Sequence, residues 1–92
     1  MALYRHALGY AMRTERNRQG MTLRDVAQKA HMALGYLSEV ERGQKDISSE
    51  LLECVAHALG VSLGDLTIGV AEVILDWEQQ EKEKTALLVA VN

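Results

Sequence analysis

Proline and phenylalanine are both missing from this 92-residue chain, and one tryptophan and three tyrosines are its only aromatic residues. Leu, Val, Ala and Glu carry the composition instead, which favours an all-α domain over a sandwich or a barrel. Cysteine is reduced to Cys54 alone, and one thiol cannot close an internal disulfide, so the chain suits a reducing cytoplasm. Two roles for Cys54 stay open, packing and redox sensing. No apolar run reaches about 18 residues and no charged-then-apolar leader precedes the fold, so we expect a soluble cytoplasmic protein with no membrane segment and no export signal. His6, His31 and His57 are scattered, and neither metal-ligand spacing, a Gly-rich phosphate loop nor clustered carboxylates occur. Catalysis, a metal and a cofactor are therefore not expected. At this length there is one domain at most, with a core thin enough that dimerisation would help it.

Charge is scarce in total but not in distribution. The net value is −3, which argues against a polyanionic partner. Residues 1–45, however, hold eight Lys/Arg against four acids, a net +4, and residues 46–92 hold two lysines against nine acids, a net −7. Local potential rather than total charge attracts phosphate. Ordinary surface solvation is the competing explanation of the same asymmetry.

Helix signals follow one another closely. Residues 3–18 carry Leu8, Ala11 and Met12 on one stripe and stop at Gly20. Thr22 and Asp25 have the spacing of a capping box that opens a second helix, with Val26, Ala27 and Ala30 on its buried edge and an end near His31, a residue that tolerates left-handed backbone. A third helix over residues 34–42 stops at "ERG". At 100° per residue it turns Leu37 and Val40 inward and leaves Leu34, Gly35, Ser38, Glu39 and Arg42 on the other flank. Ser48 caps a fourth helix that ends at Gly60, where Leu52, Val55, Ala56 and Leu59 form one stripe and Leu51, Cys54 and Ala58 a second. "VSLGDL" reads as a brief fifth turn or helix. Beyond Leu66, Val70, Val73, Ile74 and Trp77 repeat as an amphipathic helix, "EQQEKEK" is polar all round, and "TALLVAVN" is an apolar tail. This gives residues 1–66 as the domain and residues 67–92 as a C-terminal helix and tail.

Two short helices around a tight turn form a helix-turn-helix. Gly9, Arg13, Arg16, Gly20, Thr22, Ala27, Leu37, Glu41-Arg42-Gly43, Ser48 and Leu59-Gly60-Val61 resemble the Cro/cI-like (XRE) family across roughly residues 9–66. "TLRDVA" with "ALGYLSEVERGQKDISSELL" is similar to the Clp protease gene regulator branch, whose members are dimeric activators of Clp protease and related stress genes. The resemblance implies a compact five-helix, lambda-repressor-like domain with an amphipathic extension. It also implies a homodimer on inverted half-sites of double-stranded DNA and a third helix in the major groove. Two departures stand out: Ala33 replaces the usual Ser/Thr cap of the third helix, and Glu15 takes a position that is usually apolar.

Physical reasons accompany the expected DNA contacts. Leu34 suits a thymine methyl or else a protein partner, and Glu39 suits a cytosine amino group or else a pairing with Arg42. Gly35 lets backbone approach DNA closely. Thr22, Leu23 and Arg24 open the second helix, whose N-terminus offers donors to phosphate. Gln44, Lys45 and Ser48 lie in the following loop and cap, a backbone-contact zone by resemblance or else plain surface. Tyr36 is expected half in the core with its hydroxyl on a phosphate. Arg16 and Glu41 are expected, by resemblance, to form a partly buried ion pair. Leu51, Cys54, Ala58, Val70, Val73, Ile74 and Trp77 are the expected dimerisation residues, unless the last helix folds back on its own domain. The apolar tail is expected to exchange between subunits or to stay disordered, and the resemblance implies that it serves Clp proteases as a degradation signal. An antitoxin that grips a toxin with its C-terminal helix is the alternative reading.

Overall fold

Thr22 begins the part of the chain that matters most. In the computed structural model, which describes residues 2–91, its hydroxyl accepts from the Asp25 amide at 3.0 Å while the Asp25 carboxylate accepts from the Thr22 amide at 2.8 Å. This capping box starts α2 (Leu23–Ala30) after α1 (Ala2–Arg18). His31 then turns left-handed, at φ 55° and ψ 46°, and closes α2 with amide bonds to the Ala27 and Gln28 carbonyls. α3 (Leu34–Glu41) opens at Ala33 with no side-chain cap. It stops at "ERG" because Gly43 takes φ 76° and lets the Gln44 amide reach back to the Glu39 carbonyl at 2.9 Å. α4 (Ser49–Ala58) is capped by Ser48, and α5 (Leu63–Val91) by Ser62, whose hydroxyl accepts from the Asp65 amide at 2.9 Å.

α5 corrects the expected organisation. A brief fifth helix followed by a separate segment was expected, but one 29-residue helix passes through Leu66 without a break. Its first half must stay helical to bury Leu66 and Val70, and that packing outweighs the weak propensity of Gly64 and Gly69. The tail is not irregular either: it continues the helix with Leu87, Leu88 and Val89 exposed. Asn92 lies outside the described residues, as does Met1. No single described helix is long and apolar enough to cross a membrane.

The core gathers Met12, Leu37, Val40, Val55, Leu59 and Val70, each at most 2% exposed. α1 packs on α3 and α5, α2 on α3 and α4, and α4 on α5. Ala58 and Val70 belong to this core, so both are corrections to the expected dimer surface. Their stripes are wide because both faces are used inside one chain. Val73, Ile74 and Trp77 are half-buried against the same core, while Leu51 and Cys54 are exposed. Cys54 therefore lies outside the chain's own core.

Gly9 is where α1 and α3 come closest. A Cβ there would enter the shell of the Glu41 carbonyl, 2.8 Å from its carbon and 3.0 Å from the Val40 carbonyl oxygen. Backbone atoms cannot swing aside, so Gly9→Ala forces the two helices apart at a cost of about 1–3 kcal/mol. Alanine recovers less than about 1 kcal/mol of helix propensity. Thermal denaturation of Gly9→Ala is expected to show a net loss of stability.

Candidate nucleic-acid interface

The third helix is held from beneath by Leu37 and Val40, at 0% and 1% exposure, and from its end by an ion pair. Arg16 donates through Nε to Glu41 at 3.0 Å and through a terminal nitrogen at 2.8 Å, while its other terminal nitrogen donates to the Met21 carbonyl at 2.9 Å. Only 14% of the Arg16 side chain and 10% of the Glu41 side chain meet solvent. The Glu41 carboxylate raises the Arg16 guanidinium above its ordinary value, partly offset by burial. One pair thus ties α1, the turn into α2 and the last turn of α3 together, and Glu41 has no remaining freedom to read DNA.

The outer flank is shorter than the helical projection suggested. Gly35 and Arg42 are exposed and Ser38 and Glu39 are half-exposed, but Leu34 leans onto the core. Arg42 donates to the Ser38 hydroxyl and, at 3.2 Å, to the Gln44 side chain. Lys45 Nζ lies 3.7 Å from the Glu39 carboxylate. Glu39 therefore pairs with Lys45 rather than with Arg42. Five side chains expected separately on helix and loop form one polar surface, with the small Gly35 beside them.

Three expected contacts need correction. Tyr36 donates its hydroxyl to the Asp46 carbonyl at 3.0 Å, so its proton serves the loop and not a phosphate. Leu23 is half-buried against the core, so part of its side chain serves packing. At the N-terminus of α2 the Asp25 carboxylate already occupies the electropositive end, with the Thr22 amide as the largest cause holding it below its ordinary 3.8. Arg24 is an exposed cation on that first turn. Ser48 is exposed but spends its hydroxyl oxygen on capping α4, accepting from the Leu51 amide at 3.2 Å.

Asp25 also sets a pH expectation. A carboxylate depressed in the folded state contributes stability that is present above its unfolded value and is lost as pH falls through the folded one. As pH falls through the lowered Asp25 value, the Thr22 amide, whose acceptor is the Asp25 carboxylate, is thus expected to lose exchange protection progressively as the box opens. Glu15 behaves alike: its bond from Arg18 is the largest cause of its lowered value, and these bonds, at 3.0 and 2.6 Å with a third from Gln19 at 2.9 Å, let a carboxylate occupy that unusual position.

Two residues were missed. The His6 ring lies against Gly43, where an added Cβ would stand 3.0 Å from its Cγ, and an Arg5 terminal nitrogen lies 3.7 Å from the Asp46 carboxylate. Together with Tyr36 they hold both ends of the loop that presents Gln44 and Lys45. No local signal marks them, because their partners lie about forty residues away along the chain.

Residues 12–66 match the helix-turn-helix family model. The chain belongs to the Cro/cI-like helix-turn-helix family. It is similar to the transcriptional regulator ClgR of Mycobacterium tuberculosis, 46% identical over 71 residues, which covers 77% of this chain and 63% of that protein. The chain thus spans less than two thirds of that relative's length. The crystal structure of the clp gene regulator ClgR from Corynebacterium glutamicum superposes with a TM-score of 0.88 at 44% identity, covering 95% of this chain and 93% of the other. The restriction-modification controller protein C.Esp1396I, solved as a tetramer with its natural 35-base-pair operator, is 25% identical with a TM-score of 0.74 over 78% of this helix-turn-helix chain and 95% of that one. These relatives are regulators and not enzymes.

Proposed function

We propose that this helix-turn-helix protein is a sequence-specific transcriptional regulator. It binds double-stranded DNA as a homodimer, setting α3 into the major groove of two inverted half-sites and activating Clp protease and related stress genes. The single observation that carries the DNA reading is the outer flank of α3. An eight-residue helix, pinned beneath by Leu37 and Val40 and at its end by Glu41, turns two linked groups outward, Ser38 with Arg42 and Gln44, and Glu39 with Lys45. The ClgR relatives support the regulatory role and its Clp-gene branch.

The free protein's own ion pair suggests how reading proceeds. Lys45 and Glu39 hold each other at 3.7 Å, an exposed contact worth at most about 1 kcal/mol. Approach of a phosphate draws Lys45 away at little cost. Glu39 is then free to accept from a cytosine amino group, and the negative DNA field makes any wrong base beside it costly. Arg42 exchanges Ser38 and Gln44 for phosphate oxygen, which releases counterions. Gly35 keeps the middle of the flank low enough for close approach.

Binding titrations over a salt series test this division of labour. Arg42→Ala is expected to weaken binding to all duplexes alike and to reduce the salt slope by about 1. Glu39→Ala is expected to relax preference at one base pair by about 1–3 kcal/mol and to leave the slope nearly unchanged. If operator affinity and preference are untouched in both variants, α3 does not read DNA with this flank.

A further inference from the structure

α1 runs back along the reading element. Gly9 lies against Glu41 at the end of α3, the His6 ring lies against Gly43, and Arg5, on the first turn of α1, stands beside Asp46. The N-terminal end of α1 thus backs the loop that presents Gln44 and Lys45. The DNA contacts expected of α2, α3 and the loop leave α1 itself without one.

Arg5 and Arg16 are the two half-buried arginines among the described residues, and the fold treats them differently. Arg16 engages three donors, two with Glu41 and one with the Met21 carbonyl. Arg5 has a loose ion pair instead, its Nη1 lying 3.7 Å from the Asp46 carboxylate, beyond hydrogen-bond reach. Its Nε is buried and is the one such side-chain nitrogen or oxygen, among the described residues, that lacks a partner. A buried donor left unmade is costly, and more so on a charged group. The ion pair is also exposed, with 37% of the Arg5 side chain and 81% of the Asp46 side chain meeting solvent, so it is easily given up. Tyr36 holds the Asp46 carbonyl and not the carboxylate, which can therefore turn away without disturbing the loop.

We infer that Arg5 is a further phosphate-binding residue, which exchanges the Asp46 carboxylate for a backbone phosphate of duplex DNA when the loop docks. The inference rests on the proposed DNA reading by α3 and adds a contact from α1. A phosphate brought against Gln44 and Lys45 repels the Asp46 carboxylate and attracts the guanidinium behind it. Away from Asp46 the guanidinium offers Nε together with a terminal nitrogen, the fork that matches two phosphate oxygens. The bound state so satisfies the donor that the free protein leaves unmade. Asp46 competes with the DNA for Arg5 and thereby moderates affinity for every sequence alike.

Titrations of the full chain with a mixed-sequence duplex over a salt series test it. Arg5→Ala is expected to reduce the salt slope by about 1 and to weaken binding about tenfold at about 0.1 M salt. Arg5→Lys keeps the charge but not the fork, and is expected to hold the slope with a smaller loss of affinity. Asp46→Asn is expected to tighten binding. In the Asp46→Asn background the loss caused by Arg5→Ala is expected to persist. Circular dichroism confirms that each variant keeps its helices. If that loss vanishes in the Asp46→Asn background, Arg5 merely neutralises Asp46 and the inference is overturned. A slope lowered by Arg42→Ala but not by Arg5→Ala overturns the inference alone, whereas a wild-type chain that does not bind the duplex overturns the DNA reading with it.

Discussion

Leu37→Ala is expected to remove about 3 kcal/mol of folding stability, within the roughly 2–5 kcal/mol typical of truncating a buried leucine. Leu37 is 0% exposed and sits beneath the reading flank, where α3 packs on α1 and α2. α1 is held in turn by α5, and α2 by α4, so neither can collapse onto the space left behind. For a domain of this size the loss corresponds to a fall of roughly 12–24 °C in melting temperature. Differential scanning calorimetry checks it. A fall of less than 3 °C would show that α3 is not anchored through this residue.

Glu41→Ala is expected to cost about as much, for a different reason. It strands the Arg16 guanidinium, which is 14% exposed and loses two charge-assisted bonds while keeping only the Met21 carbonyl. Removing one partner of such a pair typically costs about 3–5 kcal/mol, and the partial exposure here favours the lower end. Arg16→Ala with Glu41→Ala leaves no stranded charge, and is expected to be less destabilised than the sum of the single variants by about 1–3 kcal/mol. Chemical denaturation of the four chains closes the cycle. Strict additivity would contradict the role assigned to the pair.

Much of the fold was legible because its punctuation is local. Thr22 with Asp25, and Ser48, announce helix starts through side chains that can reach amides only a few residues away. Gly20, Gly43 and Gly60 all take positive φ, and His31 does so as the only non-glycine among the described residues. The inward side of α3 was legible for the same reason, since Leu37 and Val40 can share a side only in a helix.

What depended on distant packing was not legible. Nothing near Gly64 and Gly69 shows that α1 will hold Leu66 and Val70 and so carry one helix through both glycines. The stripe containing Ala58 could not be told from a surface stripe, because the burial of Ala58 depends on neighbours brought in by other elements. The loop contacts of Tyr36, Arg5 and Lys45 arise only once Gly43 has set the chain's direction. Glu39 accordingly took a partner on the loop rather than the one a helical turn away.

A dimethyl sulfate footprint on operator DNA reports the groove directly, because the reagent marks guanine N7 on the major-groove edge. Two protected major-groove patches about one helical turn apart are expected, both disappearing in Arg42→Ala at concentrations where the wild-type chain still protects. Guanine N7 atoms left unprotected on operator that the protein binds, or protection indifferent to Arg42, Glu39 and Lys45, would contradict the assignment of α3 as the reading element.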